Sequence, residues 1–514
     1  MTLSFWPALL AGAVLASSPA EKRGKQIYLH GTSASGREMT ASLGDDAAGL
    51  PAASLACAGC HGQDGRGKPE GGIEPPNVTW DSLTKSYGHR HPDGREHPAY
   101  TERSIGRAII MGIDPAGNRL GVAMPKYAMT AQDLTDLVAY LKRIGKERDP
   151  GLTGGAIRIG AIVPGGGALG EAGREIEALL TAYFDDVNAH TGIHDRRVEL
   201  RFLRDEGGPL SSRLERFLEG KGVFALLEAR PLGTDREVVD QAEAREIPAL
   251  VPLAAFPERD AAARRHVFYL LSGLKDQGRA LMDFAGAKLD LVNPRVAIVY
   301  PQAGSFSDVV EAMEGECKEA GCSSAIKIGY APGAFGAEKV ASALEDDGSQ
   351  VVCFLGSGEE LKSLIEATAA WSPAPTFLVS GTLTGRDVFD TAEQSASRIF
   401  VAYPMLPSDP SAQGLEEFRA LVRKDRLSLH HLPLQIAAFG AARILVEGLR
   451  RAGRDLSREK LVSELEALYE FDSGLLPPVT FGPNRRVGAA GAYVVAVDRA
   501  RRRFIPVGGW IAAK

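Results

Sequence analysis

The sequence predicts a multi-domain chain in which a small all-α unit precedes a larger, two-lobed α/β region. Three observations point there. At 514 residues the chain is too long for one ordinary hydrophobic core. The composition changes near residue 150, where "ERDPGLTGG" reads as a Pro/Gly linker, assigned to residues 149–155. Before it, Gly, Pro and His punctuate a sequence with few alternating runs, whereas beyond it strand-like and helix-like segments take turns. Hydrophobic residues at 44%, charged residues at 24% and a formal charge of −6 describe a soluble globular protein with no basic excess, which argues against nucleic acid as a partner.

The first residues carry an apolar stretch from Leu3 to Ala16, then small residues, then charge, which is the order of a secretory signal. Residues 1–20 are assigned to it, with cleavage after Ala16 or Ala20 and export to the periplasm as the consequence. No cysteine follows directly, which disfavours a lipid anchor, and no later stretch reaches the ~20 apolar residues of a membrane span.

Residues 21–148 form the first unit, and its chemistry centres on Cys57-Ala58-Gly59-Cys60-His61 in a chain with five cysteines. C-x-x-C is compatible with a redox disulfide, a zinc site or a haem. A thioredoxin-type pair needs a βαβ context that residues 21–56 do not supply, and tetrahedral zinc needs two further ligands at matching spacing. The histidine directly after the second cysteine favours haem: two thiols one helical turn apart form thioethers to the porphyrin, and the next side chain faces the iron. A thioether is the usual second axial ligand at raised potential, and Met124 is the candidate, since Pro125 forces it into an extended strap. Thr130 with Asp133 then caps a helix whose apolar face is Leu134, Leu137, Val138, Leu141 and Ile144. Met129 or a histidine could displace Met124. His89, His91 and His97 read as a solvated loop, with rival ligands or a metal patch as the alternatives.

With the opening helix around "EKRGKQIYLHG", CAGCH, "EPPNVT", the Met-Pro strap and the closing helix, residues 21 to about 146 resemble a class I cytochrome c domain. The resemblance implies one covalently attached haem c, bound through Cys57 and Cys60, with His61 and Met124 as axial iron ligands. It also implies that the carbonyl of Pro75 or Pro76 orients the His61 ring.

From residue 156, "AIRIGAIV", a glycine loop, a helix with Ile176, Leu179, Leu180, Tyr183, Phe184 and Val187 on one face, and "RRVELRFL" make a strand–helix–strand crossover. Further strands follow at "GVFALL", "IPALVPL", "RVAIVY", "SSAIKIG", "QVVCFLG", "PTFLVS" and "SRIFVAY". Helices between about 411 and 468 then precede short strands at "PPVTFG", "AYVVAV" and "RFIPVGG". Cys317 and Cys322 could pair or remain thiols, and Cys353 reads as a small buried hydrophobe.

The order of "IRIGAIVPGGGALGEAGREIEALLTAYFDDVNAHTGIHDRRVELRFLRDEG" and "AEAREIPALVPL" makes residues 156–514 similar to the type I periplasmic solute-binding proteins that serve ABC transporters for branched-chain amino acids and related solutes. That implies lobe 1 at about 156–270 and 401–475, lobe 2 at about 271–400 and 476–514, and hinge closure around a small molecule. The amino-acid anchors of that family are poorly matched: among "LEARPLGTDREV" and "VPLAAFPERD" only Thr234 offers a suitable hydroxyl, beside Leu253, Ala254, Ala255 and Phe256. An apolar or aromatic ligand suits that lining better than a zwitterion. Further cleft candidates at strand ends are Gly166, Ser305, Phe306, Ser357 and Ser380.

The expected protein is therefore not an enzyme. It is an exported mono-haem c-type cytochrome that transfers single electrons, fused to a receptor module for a small, apolar molecule, with a periplasmic dehydrogenase or another cytochrome as redox partner. The alternative is an ABC-transporter solute-binding protein, facing a permease, with an accessory haem domain.

Overall fold

A computed structural model describes residues 18–44, 49–67, 74–91, 93–145, 148–207, 210–219, 222–230, 235–257, 264–289, 291–322, 324–391, 398–406 and 409–513. Of the expected signal segment 1–20, residues 1–17 lie outside them, and Ser18–Ala20 are the start of the first helix. The chain divides into two compact units, Met1–Arg148 and Asp149–Lys514.

Helices dominate the first unit, at Pro19–His30, Glu102–Met111 and Ala131–Leu141, with single turns at Cys57–His61 and Trp80–Leu83. Ser18 starts the first helix with a capping box closed by Glu21, and Thr130 with Asp133 starts the last one the same way, as the sequence predicts. Their apolar faces meet in a core of Ile27, Tyr28, Ile105, Ile109, Leu137, Val138, Leu141 and Ile144. The unit is not purely helical. Lys126–Ala128 and Leu50–Pro51 flank Thr40–Ser42 in a short antiparallel sheet, and His89–Arg90 pairs with Glu96–His97 in a small hairpin.

The second unit holds two sheets. The first is six-stranded and parallel, in the order Val487–Ala489, Val267–Leu271, Ala249–Val251, Ala225–Glu228, Ala156–Pro164, Arg197–Asp205. The second runs Ser324–Tyr330, Arg295–Pro301, Val351–Phe354, Thr376–Ser380 and Ile399–Tyr403 in parallel, then adds Gly491–Asp498 antiparallel, which also pairs Arg503–Pro506 and Ile511–Ala512. The chain passes between lobes after Leu271, after Tyr403 and between Ala489 and Gly491, the multiple crossing that a hinge requires.

Three details differ from the sequence expectation. "VFYLL" (267–271) is a central strand; its unbroken apolar run follows an arginine-rich segment and shows no alternation. The second crossing falls after the strand Ile399–Tyr403, because Val401 and Ala402 pair within the second sheet. The third falls near residue 490 rather than 475, because Val479 and Phe481 bury in the first lobe's core and Val487 pairs with Tyr269.

Helix Leu432–Arg451 is long and apolar enough to cross a membrane by length and composition alone. Ile436, Phe439, Ile444, Leu445 and Leu449 instead sit in the first lobe's core beside the predicted face Ile176, Leu179, Leu180, Phe184 and Val187.

Candidate functional site

CAGCH forms one helical turn. Ala56 enters it extended, and Gly62 leaves it at φ 73°, a left-handed value that ends the turn at His61. Cys57 and Cys60 therefore stand three residues apart on one face, Cys57 half-buried and Cys60 exposed, both as unpaired thiols. The Tyr28 hydroxyl donates to the Gly62 carbonyl at 2.7 Å and fixes the turn to the opening helix. Burial pushes the Cys57 thiol up to about 11, against the opposing effect of the neighbouring Tyr127 hydroxyl.

His61 is only 7% exposed, and its Nδ1 lies 2.9 Å from the Pro76 carbonyl. That bond makes Nδ1 the protonated nitrogen and leaves the Nε2 lone pair for a metal. Burial lowers the pKa of His61, an effect the Pro76 carbonyl partly opposes, and the ring is neutral as a ligand must be. The carbonyl is delivered by a stapled loop: Gly67 N–H donates to His61 O at 2.8 Å, and Val78 N–H to Gly65 O at 2.7 Å. Gly67 sits at φ +93°, and a Cβ there would lie 2.1 Å from Pro75 O, so only glycine allows this approach.

Met124 lies on a turn, its N–H donating to Gly121 O at 2.9 Å, directly before the strand Lys126–Ala128. It packs partly buried against the cluster that also takes Cys57, Ala58 and Met129. A Cβ on Gly59 would meet nothing within 4 Å, so the exposed side of the turn is open. Two thiols on one turn, a neutral oriented imidazole and a thioether in the same cluster are a donor set that fits a covalently attached haem.

His89, His91 and His97 are not a solvated loop. They stack on the hairpin, with His97 only 6% exposed.

In the second unit the structure brings two of the cleft candidates together. Phe256 follows a strand of the first lobe and Phe306 a strand of the second, and their rings meet edge to face at 5.2 Å. Gly166 is exposed at the end of the strand Ala156–Pro164, and Ser305 is exposed at the N-terminus of the helix Phe306–Glu319 without making a side-chain cap bond. Ser357 and Ser380 spend their hydroxyls on protein partners, Ser357 at the surface and Ser380 in the interior. Ser357 caps the helix Gly358–Ala367 reciprocally with Glu360, and Ser380 donates to the buried Gln277 at 2.6 Å while accepting from Thr382 N–H. Thr234 lies outside the described residues. Cys317 is buried and Cys322 half-buried; both are thiols, and Cys353 is buried in its strand.

A charged cluster that the sequence reading did not single out sits at the C-terminal ends of the first lobe's strands. Arg230, 3% exposed, holds Glu228 through Nε at 2.6 Å and Asp205 through Nη1 at 2.6 Å. Burial works against the guanidinium charge, but the two carboxylates outweigh it and keep Arg230 protonated. Charges at the end of an apolar strand, as in "ALLEAR", were the available signal. With Arg230 engaged by protein carboxylates, the aromatic pair is the distinctive apolar feature where the two lobes meet.

Residues 47–145 match the family described as Cytochrome c, and residues 156–502 match the family described as Periplasmic binding protein. No curated protein matches the chain. Among solved structures, the fatty acid ABC transporter substrate-binding protein from Thermomonospora curvata is 15% identical, over 72% of this chain and 95% of its own, with a TM-score of 0.56. A leucine binding protein from Thermotoga maritima is 15% identical over 69% of this chain and 99% of its own, TM-score 0.55. An ABC transporter substrate-binding protein from Sphaerobacter thermophilus is 18% identical over 70% of this chain and 98% of its own, TM-score 0.56. At these identities the likeness is one of fold.

Proposed function

The chain belongs to the periplasmic binding protein family and carries a cytochrome c domain, and from that premise we propose that it is an exported single-electron carrier fused to a receptor for a small apolar solute. The observation that carries the electron-transfer half is the His61–Pro76 bond on the CAGCH turn, with Met124 in the same cluster. A haem supplies reversible one-electron chemistry there. Cys57 and Cys60 would hold it covalently, His61 Nε2 and Met124 Sδ would be its iron donors, and the burial of His61 excludes water from that side. One haem is expected, because CAGCH occurs once. With both axial positions assigned to side chains, neither is left for a substrate, which fits a carrier and not a haem enzyme.

The Phe256–Phe306 contact supports the receptor half. Two aromatic rings from opposite lobes suit an apolar or aromatic solute, and a hinge that brings them together makes affinity depend on closure. The alternative, a capture protein for an ABC importer with an accessory haem, rests on the fold shared with the transporter proteins above.

The test is the exported, full-length protein on a denaturing gel stained for haem, with oxidised and reduced visible spectra and the mass of the peptide spanning residues 57–61. Covalent haem and a reversible six-coordinate spectrum are expected; a colourless protein with an unmodified peptide refutes the carrier. A thermal-shift screen with aromatic and aliphatic alcohols and acids then addresses the receptor, where a ligand at a hundred times its Kd stabilises by about 2.7 kcal/mol. Electron exchange with a periplasmic dehydrogenase and no solute response across that screen would defeat the importer reading.

A further inference from the structure

Three of the ten histidines converge on the hairpin His89–Arg90/Glu96–His97, away from the CAGCH turn in sequence. Antiparallel pairing sets His89 opposite His97, and His91 N–H donates to Arg95 O at 2.9 Å, so the turn folds His91 back toward them. Ring centroids lie 5.1 Å apart for His89–His97, 5.1 Å for His91–His97 and 6.1 Å for His89–His91.

Nitrogen placement is more informative than stacking. The Nδ1 of His97 donates to the Pro98 carbonyl at 2.8 Å, which leaves its Nε2 with a lone pair. The Nε2 of His91 stands 3.0 Å away. Two imidazole nitrogens on one ion at about 2.0–2.1 Å are separated by roughly 2.9–3.4 Å, from square-planar to tetrahedral angles. Two neutral imidazoles share a proton at that spacing, and a cation can replace the proton without moving the rings. His89 donates through Nε2 to Ser82 O at 2.6 Å, which fixes its ring in the stack and leaves the paired nitrogens to His91 and His97.

Burial lowers the pKa of His89 and of His91, so their lone pairs are available at neutral pH. Asp114 is fully buried, accepts from the N–H groups of Ala116 and Asn118 at 2.9 Å each, and lies near His97, where it offsets the Arg95 guanidinium 3.7 Å away. The Tyr100 ring meets His97 edge-on at 4.8 Å and shields one side. Carbonyl-oriented imidazoles of this kind are the usual outer support of a metal ligand.

We propose that this hairpin binds a divalent transition-metal ion of the class imidazole prefers, zinc or copper, through Nε2 of His91 and Nε2 of His97, with solvent completing the shell.

The test uses full-length, haem-loaded protein treated with a chelator. Calorimetric titration with Zn2+ is expected to show one equivalent bound at micromolar affinity or tighter. His91→Ala and His97→Ala each weaken it tenfold or more, and His190→Ala, an exposed histidine of the second unit, leaves it unchanged. Bound Cu2+ in the unaltered, oxidised protein shows imidazole nitrogen couplings in its electron paramagnetic resonance spectrum, a readout that does not depend on a variant folding. The haem visible spectrum stays the same throughout and reports that each variant is folded. Zn2+ binding in His91→Ala equal to the unaltered protein, or a copper spectrum without imidazole nitrogens, overturns the proposal. So does a changed iron spectrum in His97→Ala, which makes that residue an iron ligand instead.

Discussion

At Met124 the sequence and the structure give the same physical reason for a role. Pro125 denies it a helical backbone, and the turn it occupies ends directly in the strand paired with Thr40–Ser42. Met129 packs in the same cluster, between that strand and the N-cap Thr130 of the closing helix, so the two thioethers are told apart by substitution. Replacing Met124 by Ala removes a donor without altering a helix or strand. The expected outcome is a protein that still carries covalent haem through Cys57 and Cys60 but binds added imidazole at the opened position, whereas Met129→Ala does not. Visible titration with imidazole distinguishes the two, and a Met124→Ala spectrum identical to the parent's would remove Met124 from the ligand set. The cysteines and His61 were readable because their chemistry demands a fixed local spacing. Ser357 and Ser380 show the opposite case: a hydroxyl at a strand end looks the same in sequence whether it faces a ligand or caps a helix, and only the partners Glu360 and Gln277 decide.

The elements that support the haem turn are the opening and closing helices of the first unit. They cross where Gly24 faces Asp136 and Tyr140, and a Cβ on Gly24 would lie 1.9 Å from the Asp136 carbonyl oxygen. Arg23 reaches across the same crossing to Asp136 with two bonds of 2.6 and 2.9 Å, while Tyr28 packs on Tyr140. Because backbone and not a flexible side chain stands in the way, Gly24→Ala forces the helices apart. It should cost about 2–3 kcal/mol in denaturant unfolding followed by haem absorbance, with the second unit unaffected. The closing helix also carries a pH dependence. Burial raises the pKa of Asp133, but hydrogen bonds from the Ser33 and Thr130 hydroxyls, both at 2.6 Å, outweigh it and hold the carboxylate below its ordinary value. A folded pKa below the unfolded one, near ~3.9, stabilises fully above that value and loses the contribution as pH falls through the folded pKa. Asp133→Asn should therefore be less stable than the parent at pH 7, and the gap should close on acidification below about pH 4. An unchanged gap at low pH would mean that packing, not charge, explains the loss.

The whole molecule follows from the composition change near residue 150, and what sequence left open is where long-range packing decides. The strand at 267–271 and the late third crossing depend on which sheet a short apolar run joins. The hairpin histidines became a stack with one buried member, His97, only through the pairing of His89 with His97. Residues 149–155 read as a linker, yet in the structure Leu152 is buried and Asp149 accepts from the Arg458 backbone N–H at 2.7 Å. The Arg458 side chain is itself buried and donates to the carbonyls of Val223 at 2.6 Å, Arg245 at 2.9 Å, Phe224 at 3.1 Å and Pro150 at 3.4 Å. One guanidinium thus closes the start of the second unit onto its first lobe, and four carbonyls depend on it. Arg458→Met keeps much of the volume but leaves those acceptors unsatisfied, at a cost of about 3 kcal/mol or more. If the two units are separate cooperative bodies, as the division at 148/149 implies, calorimetry should show the second unit's transition moving down while the transition tracked by haem absorbance stays in place. A single transition that shifts as one, by both probes, would mean that the cytochrome and receptor units unfold as one body and that the linkage between them is energetic as well as covalent.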